Sequence, residues 1–165
     1  MTGPHPDQRR AEIVDPYNRE RDALVALIGR IDPAVLDKPS PCSGWTLRDL
    51  IAHLATSATG IPTYVQMMLE GKRPNATRAE LDARNEARVR ERRSHSLQEI
   101  VKELETSHER NVDFFLSLAD EQLAVTGALS SGEVITVLER FRRAGKHYRE
   151  HGRMLAQAAG LGDDY

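Results

Sequence analysis

The 165-residue sequence carries six histidines and one cysteine, and that ratio decides which chemistry to look for. A lone cysteine excludes an intramolecular disulfide framework and any multi-cysteine zinc cluster, so transition-metal binding would fall to imidazole and carboxylate. Two imidazoles stand at i and i+4 in His147-Tyr148-Arg149-Glu150-His151. On a helix they share one face a turn apart, the spacing from which two side chains reach one ion at about 2.0–2.1 Å. The pair is weak evidence alone, because six histidines scattered over this length give some i,i+4 pair by chance in roughly one sequence in five. Its surroundings add to it. Leu138, Phe141, Ala144, Tyr148, Leu155 and Ala158 outline the buried side of that helix, and His147 and His151 fall beside the line or on it. His53 repeats the situation, three residues after Leu50 and next to Leu54. Three buried imidazoles without partners would cost several kcal/mol, and a shared metal removes that penalty by using their lone pairs. Solvated or hydrogen-bonded helix histidines are the alternative. His5 in the N-terminal arm, His95 in a breaker loop and His108 between Ser107 and Glu109 read as solvated bystanders. Asp49 reads as a helix-capping residue and Cys42 as a small packing residue.

The elements that must position these groups read as helices. Ala23, Leu24, Leu27, Ile28 and Ile31 make one stripe over Tyr17–Ile31, ended by Asp32-Pro33. Pro33, Pro39, Pro41 and Gly44 make a loop of the next dozen residues. Thr46 and Asp49 form a capping box that opens a second helix, which continues to Gly71 past a kink near Gly60-Ile61-Pro62. Thr77 with Glu80 caps a charged helix over Leu81–Arg93. Ser94-His95-Ser96 breaks it, and Ser96 with Glu99 caps a further segment to Leu118. Gln122–Leu129 is a connection. Ser130-Ser131-Gly132-Glu133 resembles another capping box before a last helix over Glu133–Ala159, closed by Gly160. Four principal helices, the third broken, with few β signals predict an all-α fold, a four-helix bundle. The expected organisation is a flexible, Pro-rich arm over residues 1–16 and a single domain over 17–165.

Charge and hydropathy narrow the function. With 23 Lys and Arg against 25 Asp and Glu, the net charge of −2 provides no global basic field for a nucleic-acid backbone. The start MTGPHPDQRRAEIVDP lacks the apolar core of a secretory signal, and no later run reaches the roughly 18 apolar residues of a membrane span. A cytoplasmic protein without membrane or nucleic-acid partners is expected. The apolar stretch Ile61, Tyr64, Val65, Met67, Met68 and Leu69 reads either as core or as a homodimer surface.

The loop and helix start Pro41-Cys42-Ser43-Gly44-Trp45-Thr46-Leu47-Arg48-Asp49-Leu50-Ile51-Ala52-His53-Leu54 closely resembles the C-x-G-W-T-V-R-D-L-V-A-H-L stretch of the DinB-like superfamily. Within it, the sequence resembles in particular the metal-binding N-terminal domain of mycothiol-dependent maleylpyruvate isomerase. The run His147-Tyr148-Arg149-Glu150-His151, about 95 residues later, resembles the H-x-x-x-H of the last bundle helix in the same superfamily. The resemblance covers roughly Tyr17 to Gly160. It implies a four-helix bundle holding a divalent metal through His53, His147 and His151, with Asn85 matching an Asn often seen in the third helix. His147 stands where some thiol-dependent isomerases of the family have a carboxylate. Those isomerases also carry a further C-terminal domain, and the present sequence reads as the metal-binding bundle without it. Three protein ligands leave the fourth position of a tetrahedral zinc site open to a water or a thiol, whose pKa the metal would lower. Zn is the expected ion, with Ni or Fe as alternatives. The implied activity is a metal-dependent thiol transferase or isomerase-type reaction on a small-molecule substrate, using mycothiol, bacillithiol or glutathione. The competing readings are a metal-dependent hydrolase and a non-catalytic metal-binding or stress-related bundle.

Overall fold

Three reciprocal capping boxes set three of the helix starts. In the computed structural model, which describes residues 6–42, 44–73 and 76–162, the Thr46 hydroxyl accepts from the Asp49 amide at 3.1 Å and the Asp49 carboxylate accepts from the Thr46 amide at 3.2 Å. This opens α2, Leu47–Ser57. Thr77 with Glu80 opens α4, Arg78–Arg92, and Ser96 with Glu99 opens α5, Leu97–Ser117, in the same way. Between α2 and α3, Ile61–Leu69, lies one 3₁₀ turn, Ala58–Gly60, and Pro62 falls in the first turn of α3 where its missing N–H is harmless. The expected kink is thus an interruption of the α-helix.

The first helix, α1, spans Pro6–Arg30 and contains Pro16. Eleven residues assigned to an arm, 6–16, are therefore helical. An internal proline removes one helix hydrogen bond, but tertiary anchors hold the extra turns. Ile13 and Tyr17 are buried, and Arg10 donates to the Leu118 carbonyl at 2.6 Å and pairs with Asp120 at 2.9 Å. Residues 1–5, with His5, lie outside the described residues.

The last helix, α7, spans Val137–Ala158, and the capping box expected at Ser130 is not its start. A short helix α6, Asp120–Leu123, leads into a hairpin of β1, Thr126–Ala128, and β2, Val134–Thr136. Thr126 pairs with Thr136, Gly127 with Ile135 and Ala128 with Val134. Gly132 takes a positive φ of 87° in the turn, a conformation that favours glycine. The true cap is Thr136, whose hydroxyl accepts from the Glu139 amide at 3.1 Å. Val134, Ile135 and Thr136 are all β-branched and pack better on a pleated strand than in a helical first turn. The hairpin lies tight on α3. A Cβ on Gly127 would stand 2.6 Å from Met68 Cγ, and the Tyr64 hydroxyl donates to the Ala128 carbonyl at 2.7 Å.

Packing closes a ring in which α1 lies against α7, α7 against α2, α2 against α5 and α5 against α1. This is the four-helix bundle. The break at residues 94–96 lets α4 fold back, so that α4 and α5 both pack on α2. Leu24, Leu50, Leu54, Ile100, Leu104, Phe115, Phe141 and Leu155 fill the centre, each essentially inaccessible to solvent. Ile61, Val65 and Met68 of α3 join this core, which accounts for most of that apolar stretch. No described helix is long and apolar enough to cross a membrane.

Candidate metal centre

The Thr46 cap sets the rotation of α2, and two turns later that register turns His53 inward, where it is buried. Trp45, immediately before the cap, tilts over the His53 ring with centroids 4.9 Å apart and donates its indole N–H to Glu86 at 2.7 Å. Asp49 accepts both forks of the Arg93 guanidinium, at 3.0 and 3.1 Å, and so ties the end of α4 to the start of α2. Burial raises the Asp49 carboxyl, but the Arg93 hydrogen bonds and charge and the Thr46 amide outweigh it and hold the group below the usual carboxylate range. Its role is to cap and clamp.

From α7, His147 and His151 meet His53. The ring centroids of His147 and His151 are 4.4 Å apart, and those of His53 lie 5.3 and 5.4 Å from them. Each ring offers one nitrogen such that the three atoms lie within 4.8 Å of one another. Among the described residues, this is the one cluster of three or more His, Cys, Asp or Glu side chains with such a geometry. Nδ1 of His53, Nε2 of His147 and Nδ1 of His151 are buried and have no hydrogen-bond partner. Burial, then the charges of His151 and Arg88, push His53 down to about 4. Burial, then the neighbouring histidines and Arg140, push His147 to about 3, and burial lowers His151 as well. All three are neutral at pH 7 and present lone pairs, the form a metal requires.

A cavity of about 830 Å³ opens beside the cluster, lined among others by His53, His147, Tyr17, Tyr64, Asn85 and Arg140. Asn85, singled out by the resemblance, is therefore on the cavity wall. Arg140 and Arg88 were not singled out, although Arg140 lies two turns before His147 on the same helical face and Arg88 one turn after Arg84. Cys42 is half-buried against the core, and burial pushes its thiol up, as suits a packing residue. His95 is exposed, and its carbonyl accepts from Arg48. His108 is the correction among the bystanders. It is 1% exposed, its Nε2 bonds Asn18 Oδ1 at 2.8 Å, and its ring lies 4.0 Å from that of Tyr17. The charged neighbours in sequence concealed it, but Leu104, His108, Asn111 and Phe115 share one face of α5, all buried.

The architecture is a four-helix bundle with three histidines turned towards one another at one side. Residues 17–144 match the family described as the mycothiol maleylpyruvate isomerase N-terminal domain, and the chain belongs to that family. YfiT from Bacillus subtilis, described as a probable metal-dependent hydrolase with an unusual four-helix bundle topology, is similar at a TM-score of 0.74 and 17% identity, over 98% of this chain and 91% of that one. The mycothiol-dependent maleylpyruvate isomerase is similar at a TM-score of 0.65 and 14% identity, over 94% of this chain and 61% of that one. No curated protein matches the sequence.

Proposed function

We propose that the chain is a divalent-metal-dependent enzyme in which His53, His147 and His151 hold the ion, Zn before Ni or Fe, and that it acts on a small molecule with a low-molecular-weight thiol as cosubstrate. The observation that carries this reading is the convergence of three imidazoles, one nitrogen of each within 4.8 Å of the others, in a buried site beside a cavity where each ring also has a nitrogen without a hydrogen-bond partner. Orphaned buried acceptors cost about 1–3 kcal/mol each, and an ion with imidazole affinity removes that cost. Such an ion, when bound, supplies a Lewis acid that stabilises the deprotonated form of a thiol or water.

The chain's own residues do the rest. His147 and His151 keep their spacing through α7, and Trp45 packs on His53 while Glu86 holds the indole. Tyr17, whose hydroxyl burial keeps protonated, accepts from Asn111 at 3.3 Å and lines the cavity as a neutral hydrogen-bonding group. Membership in a family described by a mycothiol isomerase supports the thiol. The likeness to YfiT over nearly its full length supports a second reading, hydrolysis at the same site with no thiol. A cavity of this size beside the triad gives no support to a non-catalytic bundle.

Elemental analysis of the purified protein beside His147→Ala and His151→Ala tests the site. About one ion per chain is expected in the parent and a loss of most of it in each variant; unchanged metal content in both variants would overturn the assignment. Conjugation assays of the metal-loaded protein with mycothiol, bacillithiol and glutathione then separate the two activities. Turnover only with a thiol supports transfer, and ester or amide cleavage without one supports the hydrolase.

A further inference from the structure

The cavity beside the histidines is cationic in a chain whose net charge is −2. Arg84, Arg88, Arg140, Arg143 and Lys146 line it against only two carboxylates, Glu139 and Glu150. Both carboxylates are engaged, Glu139 with Arg143 at 3.2 Å and Glu150 with Lys146 at 3.5 Å. Arg143 is also held by Glu133 at 2.6 Å.

Arg88 and Arg140 are different. Both are half-buried, and among the described residues neither guanidinium has a hydrogen bond or ion pair to an acceptor. Arg140 lies over the Tyr64 ring, its guanidinium carbon 5.6 Å from the centroid, a contact that orients the group but leaves its in-plane N–H donors unused. The two arginines come from different helices, α4 and α7, and line one cavity together with His53 and His147. Guanidiniums with donors left free at a cavity wall can take a bound oxyanion, because their planar forks match a carboxylate. Ile61, Met67 and Leu81 line the same cavity and offer apolar surface to a carbon skeleton.

We propose that Arg88 and Arg140 form a carboxylate-binding subsite in the histidine cavity, which takes a small organic acid with an apolar body. The inference deepens the proposed function by naming the chemistry of a ligand of that site, and its place in catalysis rests on that reading. The carboxylate belongs either to the substrate that receives the thiol or to the thiol itself.

Calorimetric titration of the full chain, metal-free and metal-loaded, with 3-phenylpropanoate, its neutral amide and reduced glutathione tests this. The acid is expected to bind about tenfold or more tighter than the amide in both forms, and Arg88→Gln or Arg140→Gln should erase that preference. Arg143→Gln, which removes a lining arginine already paired, should keep it. Weakened glutathione binding in the same variants assigns the carboxylate to the thiol, and unaffected glutathione assigns it to the other substrate. Equal affinity for acid and amide overturns the subsite, as does a preference for the acid that requires metal and survives both substitutions, since the carboxylate would then sit on the ion. Because the metal-free protein is titrated as well, loss of the metal reading by elemental analysis leaves this outcome intact and separately readable.

Discussion

His53, His147, His151 and His108 are four buried imidazoles in two different situations. All four have a buried nitrogen without a hydrogen-bond partner, but the first three face one another, whereas His108 bonds Asn18 through its other nitrogen and packs on Tyr17. Burial first, and then the Arg21 charge, push His108 down to about 4, against about 6.5 in an unfolded chain. Between those values the unfolded chain takes up a proton that the folded protein rejects, so stability is retained above about 6.5 and falls as the pH drops towards 4, by up to about 3 kcal/mol. His108→Gln keeps a group able to bond Asn18 and does not titrate in this window. Its urea midpoint should therefore fall less than that of the parent between pH 7 and pH 5. An equal fall in both proteins would show that His108 is not held neutral by burial. The spacing of His147 and His151 made this pair legible in the sequence. His108 was obscured by its immediate neighbours, because burial follows the helical face through Leu104 and Phe115 and not the residues at i±1.

At the scale of elements, side-chain caps explain which boundaries could be read. Thr46, Thr77 and Ser96 each lie three residues before an acid and begin a helix. Ser130, three before Glu133, and Thr136, three before Glu139, present the same local pattern, yet only Thr136 is a cap. What separates them is the partner strand Thr126–Ala128, which engages the β-branched run before Thr136. Thr136→Ala should lower stability by about 1 kcal/mol, while Ser131→Ala and Ser130→Ala should change it by less than about 0.5 kcal/mol. Urea melts of the three variants rank them, and a larger loss at Ser130 than at Thr136 would place the helix start where the sequence pattern alone puts it. The start of α1 has a similar cause. Pro16 and the surrounding polar residues point to an arm, and the helix exists there because Arg10 and Ile13 have partners far along the chain.

For the whole molecule, the triad joins two helices that are not neighbours in sequence, α2 and α7, about 95 residues apart. An ion held by both stabilises the folded bundle by mass action, since the unfolded chain has no such site. At a free concentration 100 times its dissociation constant, Zn²⁺ should add about 2.7 kcal/mol. A rise in Tm on adding Zn²⁺ to the metal-free protein, absent in His147→Ala, checks this by calorimetry. No rise in the parent at metal concentrations that saturate binding would mean that the unfolded chain binds the ion as well as the folded one does, which a site built from two distant helices excludes. The bundle as a whole was legible from the apolar stripes at helical spacing. The hairpin on α3 was not, because its strands are three residues each and its close approach at Gly127 depends on Met68 from another helix.

The sequence by itself determined the helical class, three of the capped starts, the bend before Pro62 and the three histidines worth following. Each of these rests on spacings within one or two turns, where covalent geometry dictates which side chains meet. Only the tertiary structure decided that those histidines converge within 4.8 Å, that His108 is enclosed, and that Arg88 and Arg140 line one cavity with them. These facts depend on how α2, α4 and α7 pack, and helix packing is set by the fit of whole faces, which no local spacing encodes.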